Sequence, residues 1–239
     1  MFTKLASYAG ALLILQGVTA CSADNDPVGQ AATEAAASPR AAERAASAAP
    51  IEDTRLVVAF GDSLYAGYGV EPQESLPAKL ETVLAARGVP AKVTNAGVSG
   101  DTTAAARRRL DFTLDGLERK PDLVMISLGG NDMLRGIDPD QTRENLTAIC
   151  EELQRRGIPI LFTGMIAAPN MGRDYAERFN AIYPDLARRY DAALYPFILD
   201  GVVTNPRLMQ NDRVHPTAAG IDVIVGRLAP LVAGALDKQ

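Results

Sequence analysis

The sequence predicts an α/β domain, a doubly wound three-layer sandwich with a parallel five-stranded sheet between two helical layers. Three observations predict it. From Ile51 onward, short β-rich runs alternate with longer helical stretches. The first run, Leu56-Val57-Val58-Ala59-Phe60, is apolar at every position, as expected for a strand covered on both faces. The alternation persists over about 185 residues, and right-handed crossovers leave few other ways to arrange that many strands and helices.

The elements follow in order. After the strand at residues 56–60, residues 75–87 read as a helix closed by Gly88 and Pro90. Residues 91–95 form the second strand, residues 102–117 a helix, and residues 123–128 the third strand. A helix over 141–156 is stopped by Gly157, and residues 158–163 give the fourth strand. Residues 173–190 read as one helix and residues 193–195 as a short fifth strand. A last helix spans 217–236, with Pro230 expected to end or kink it. In such sheets the working crevice lies beyond the carboxyl ends of the strands.

The first fifty residues differ in kind, so three segments are expected: 1–20, 21–50 and 51–239. Lys4 precedes a charge-free stretch, residues 5–20, that is short for a bilayer-spanning helix and has the layout of an export signal. Its end, Val18-Thr19-Ala20-Cys21, resembles a bacterial lipobox, which implies a lipidated Cys21 and a membrane-anchored protein of the cell envelope. The alternative is a plain secretory signal in which Cys21 is incidental. Residues 22–50 are Ala, Pro, Ser and charged residues, with Val28 as the one large aliphatic side chain. Such a segment cannot bury enough surface to offset chain entropy and reads as a tether. A flexible chain of that length reaches about 30 Å.

Composition narrows the function. A net charge of −5 and no broad basic face argue against nucleic acid as a partner. Arg107-Arg108-Arg109 reads as a solvated helix face, since consecutive helical positions point in different directions. One histidine and two cysteines are too few for a zinc site of His/Cys type or a disulfide framework. No Walker A pattern occurs, and Gly67-Tyr68-Gly69 is only a fragment of a dinucleotide fingerprint. No cofactor and no metal are expected.

Four segments follow strands at the same sheet edge. They are Gly61-Asp62-Ser63-Leu64, the run from Asn95 through Gly100 to Thr102, Gly129-Gly130-Asn131-Asp132, and Asp212-Arg213-Val214-His215-Pro216. A serine hydroxyl is a poor nucleophile until a base takes its proton, and histidine can be that base near neutral pH. A carboxylate on the other ring nitrogen fixes the tautomer. Asp212 lies three residues before His215 and can reach it within one tight turn, ahead of Asp200 and Asp222. The oxyanion needs donors, and the N–H groups of Ser63 and Gly100 with the Asn131 side chain are the candidates. Asp62, Asp101 and Asp132 read as structural, and Cys150 as an inert buried thiol.

These four segments, in this order, resemble the four blocks of the SGNH (GDSL) hydrolases, in the branch of bacterial arylesterases and the multifunctional thioesterase I/protease I. The resemblance spans residues 56–236. It implies a flavodoxin-like sandwich and hydrolysis of carboxylic esters or thioesters, lysophospholipids among them. It also implies Ser63 as nucleophile, Asp212 and His215 as its relay, and Gly100 and Asn131 as oxyanion donors. Two other functions remain open: a polysaccharide O-acetyl esterase, and a catalytically silent binding lipoprotein of the envelope. The absence of tryptophan and an aromatic content of 5% weigh against a sugar platform, and no triad member is missing. The acyl and leaving groups and the oligomeric state are not encoded in any motif.

Overall fold

A computed structural model describes residues 54–238. The expected export signal, Cys21 and tether lie outside the described residues. Five strands form one sheet: β1 (Arg55–Gly61), β2 (Ala91–Gly97), β3 (Leu123–Ser127), β4 (Ile160–Thr163) and β5 (Ala193–Tyr195). Their order is β2-β1-β3-β4-β5, and every pairing is parallel. That is the flavodoxin-like order, whose direction of winding reverses between β1 and β3.

The connecting helices are α1 (Ser63–Ala66), α2 (Leu76–Ala86), α3 (Thr103–Asp115), α4 (Gly130–Leu134), α5 (Pro139–Arg155), α6 (Arg173–Asn180), α7 (Ile182–Arg189) and α8 (Ala218–Leu236). The helix α2 packs against α8, and α3 against α5, so the sheet is covered on both faces. This explains why Val57–Phe60 of β1 and all of β3 are buried and uninterruptedly apolar, apart from Ser127. The helix α8 is long and apolar enough to span a membrane, but Ile221, Ile224, Val225, Leu228 and Val232 are buried in the core.

Element bounds depart from expectation in three places. The single helix expected over residues 173–190 is two, broken at Ala181. Pro184 is the cause: it has no N–H to offer the Asn180 carbonyl, and its ring crowds that carbonyl. Pro230, by contrast, does not end α8, which continues to Leu236. Pro230 and Gly226, the residue one turn before it, both lie on the solvent side. The start of α5 also moves two residues earlier, to Pro139 capped by Asp138, whose side chain accepts the Asp140 N–H at 2.9 Å.

Candidate active site

At its carboxyl end β1 delivers Gly61, Asp62 and Ser63. A Cβ at Gly61 would lie 2.7 Å from the Ser127 carbonyl oxygen, so only glycine lets β1 pass β3 this closely. Asp62 is buried and accepts the Leu64 N–H at 3.1 Å, capping α1. Ser63 is therefore the first residue of a helix, where the backbone N–H has no intrahelical acceptor.

Ser63 Oγ lies 2.8 Å from His215 Nε2, and His215 Nδ1 lies 2.7 Å from Asp212 Oδ2. The other Asp212 oxygen accepts the N–H of Val214 at 2.9 Å and of His215 at 3.0 Å. Burial works to raise the Asp212 carboxyl, but the hydrogen bonds from the His215 ring, the His215 N–H and the Val214 N–H outweigh it. They bring its pKa down to about 2. A carboxylate can only accept, so Nδ1 carries a proton and Nε2 is free to accept from the Ser63 hydroxyl. Asp200 and Asp222 are engaged elsewhere, with Arg227 at 2.7 Å and Lys79 at 2.6 Å.

The turn that carries His215 is held locally. Gln210 donates its N–H to the His215 carbonyl at 2.8 Å, and Met209 and Pro216 form an antiparallel bridge. The Gln210 side-chain amide donates to the carbonyls of Tyr68 at 2.8 Å and Pro216 at 2.9 Å. The Tyr68 ring lies against the imidazole, centroids 4.4 Å apart, and half of the residue remains exposed. Sequence reasoning missed Gln210 and Tyr68. Neither has a motif, because each acts on a loop distant in sequence.

Gly100 occupies the third position of the turn Val98-Ser99-Gly100-Asp101, closed by the Asp101 N–H on the Val98 carbonyl at 3.1 Å. Its φ of +85° is the left-handed value this turn requires there. Among the described residues, the N–H groups of Ser63 and Gly100 donate to no protein acceptor. The turn is tied to the end of β1 by the Val98 N–H, which donates to the Gly61 carbonyl at 3.0 Å. Asn131 is in the first turn of α4, and its amide nitrogen donates to Asp62 at 3.4 Å.

The carboxylates expected to be structural are engaged as such. Burial pushes the Asp62 carboxyl up to about 6, against the lowering pull of the Leu64 N–H and His215. Asp132, also buried, accepts the N–H and hydroxyl of Thr103 and so ties α4 to the start of α3. Cys150 is buried, which raises its thiol to about 12 and leaves it unreactive. Among the described residues no cluster of His, Cys, Asp and Glu gathers as a metal site.

Known proteins carry the same architecture. Residues 59–223 match the model of the GDSL-like lipase/acylhydrolase family, a span that includes Ser63, Gly100, Asn131, Asp212 and His215. Esterase TesA of Pseudomonas aeruginosa is 40% identical over 166 residues, covering 70% of this chain and 81% of that protein. Thioesterase 1/protease 1/lysophospholipase L1 of Escherichia coli K12 is 37% identical over 184 residues, covering 75% of this chain and 85% of that one. The crystal structure of AlinE4, described as an SGNH-hydrolase family esterase, superposes with a TM-score of 0.66 at 54% identity. That match covers 77% of this chain and 97% of AlinE4. The chain belongs to the GDSL-like lipase/acylhydrolase family and is a serine hydrolase of carboxylic esters, with a small ester or lipid as substrate.

Proposed function

We propose that the chain hydrolyses aryl esters and short- to medium-chain acyl esters through an acyl-enzyme on Ser63. The observation that carries this reading is the continuous hydrogen-bonded line from Ser63 Oγ through the His215 ring to Asp212. Ser63 Oγ attacks the ester carbonyl as His215 Nε2 takes its proton. The negative charge that forms on the carbonyl oxygen is held by the N–H groups of Ser63 and Gly100 and by the Asn131 amide. His215 then returns the proton to the departing alcohol. Water enters by the same route and releases the acid. Asp212 keeps the imidazole in the right tautomer and stabilises it when charged.

An aryl leaving group departing past His215 would meet the exposed ring of Tyr68, which supports aryl esters. A second reading, longer acyl chains and thioesters, is favoured by Leu134 at the end of α4 and Ile166 in the loop after β4, large apolar side chains that are exposed. In the sequence, residues 1–20 support an export signal, Cys21 a lipid anchor to a bacterial membrane, and residues 21–50 a tether to the domain.

An organophosphonate probe tests the chemistry on the full chain. Ser63 is expected to carry the label, and Ser63→Ala to lose label and hydrolysis together; a label on Ser99 or Ser127 would refute the assignment. In the same preparations the wild type should incorporate radiolabelled fatty acid and Cys21→Ala should not. A wild type that stays soluble and unlabelled would indicate a plain secretory signal.

A further inference from the structure

We infer that Arg109 is a positioning residue for ester hydrolysis: it fixes the turn bearing Gly100 against the strand end bearing Ser63. The inference rests on the proposed roles of Ser63 and Gly100. Arg109 lies on α3, beyond the turn in sequence, yet its side chain folds back and is only one-fifth exposed. Its Nε donates to the Asp101 carboxylate at 2.6 Å, and its Nη2 donates to the Gly61 carbonyl at 2.9 Å. The guanidinium also stands over the Phe60 ring, 4.3 Å from the centroid, where the ring face favours a cation.

The geometry closes a loop. The Gly61 carbonyl accepts from Arg109 and also from the Val98 N–H at 3.0 Å. Val98 opens the turn and Asp101 closes it, so both ends of the turn return to one carbonyl. Gly100 sits between those ends, and a Cβ there would find only the Arg135 guanidinium within 4 Å. The space beside the Gly100 Cα is open, so side-chain packing there does not hold its N–H in place. The anchors at its two ends do so, and the carbonyl they share lies two residues before Ser63. Arg135 adds a third restraint, donating to the Gly100 carbonyl at 2.9 Å from the end of the helix that carries Asn131.

A planar guanidinium serves a carboxylate and a carbonyl at a fixed angle. A lysine ammonium has no such fork and cannot hold both in the same relation. Arg109 touches no reacting atom, so its effect should appear in the step where charge develops and not in substrate binding.

The test is steady-state kinetics on an aryl ester with Arg109→Lys, Arg109→Ala, Asp101→Asn and the Arg109→Ala/Asp101→Asn double variant, at temperatures well below each melting point. Displacing a donor by a fraction of an ångström to 1 Å should lower kcat by about 10²-fold in Arg109→Ala, with KM within about twofold. Arg109→Lys should recover only part of that loss. The double variant should be no worse than the poorer single one, because both act through one turn. Phosphonate labelling of Ser63 should slow in step with kcat. If Arg109→Ala is folded, melts lower and keeps full kcat and labelling rate, Arg109 is a packing residue and the inference fails. If Arg109→Lys restores full kcat, charge alone suffices and the geometric account fails. A wild type labelled at a residue other than Ser63 would instead overturn the reading on which the inference stands.

Discussion

Ser63 and His215 share one hydrogen bond but come from regions built in opposite ways. Ser63 opens the helix that follows β1, the strand between β2 and β3, whose Val57, Val58, Ala59 and Phe60 are all fully buried. Its position follows from the packing of the whole sandwich. His215 stands in the long segment between β5 and α8, where most of residues 203–214 are exposed. Its position follows from a few local bonds: Asp212 to two backbone N–H groups, Gln210 to the His215 carbonyl, and the Met209–Pro216 bridge. The difference teaches that Ser63, the proposed nucleophile, is held by the same contacts that hold the fold, whereas His215, the proposed base, can be damaged with the fold intact.

The sharpest way to break this comparison is Asp212→Asn. The side-chain oxygen can still accept the Val214 and His215 N–H groups, so the turn should keep its shape and the melting temperature should fall only by what the carboxylate charge contributes. The imidazole, however, would lose its charged partner and its tautomer preference, and kcat should fall by about 10⁴-fold. Equal losses in stability and activity would show that the turn is part of the cooperative core.

Asn131→Ala comes next. Its amide is expected to strengthen its hydrogen bond only as charge forms on the carbonyl oxygen, so kcat should fall about 10²- to 10³-fold with KM nearly unchanged. Slower but complete phosphonate labelling should accompany it. Full kcat with a lowered melting temperature would make Asn131 a turn residue.

The smallest effect is on stability against pH, and the two regions should contribute with opposite sign. Burial raises Asp62 from 3.8 to about 6, so the folded state holds that proton more tightly than the unfolded chain. Stability from this group is full below about pH 4 and declines as pH rises through 6, a loss on the order of 3 kcal/mol. Asp212 is held near 2 despite partial burial, so its contribution is full above about pH 4 and is lost as pH falls through 2. Chemical denaturation across pH 2 to 7 measures both. Asp62→Asn should remove the decline between pH 4 and 6, and a decline that persists would assign it to another group.

Much of this was legible in sequence, and the reason is physical. Strands buried on both faces must be apolar throughout, and a triad read from a parallel sheet must gather at strand ends. So Ser63 and His215 could be brought to one sheet edge, the spacing put Asp212 ahead of Asp200 and Asp222, and the resemblance to the SGNH hydrolases joined the three. What escaped was anything decided by contacts between distant segments. Arg109 read as one of three solvated charges, yet it turns back to Asp101 and Gly61. Gln210 is an ordinary polar residue until its amide is seen to bridge Tyr68 and Pro216. The break at Ala181, by contrast, was written in the sequence as Pro184, but the apolar periodicity running through it hid the boundary.

The chain has a single histidine and no tryptophan. That scarcity turns bulk spectroscopy into a local probe. Any imidazole proton resonance comes from His215 and needs no assignment by mutagenesis. Diethylpyrocarbonate consumed at histidine counts active centres one for one. Because the Tyr68 ring lies on that imidazole, a charged His215 should dim the emission of one tyrosine among the seven, with no indole emission to mask it. Acylation at Ser63, which removes the proton shared with Nε2, should thus be visible in the unlabelled protein as a change at one proton signal and one fluorophore.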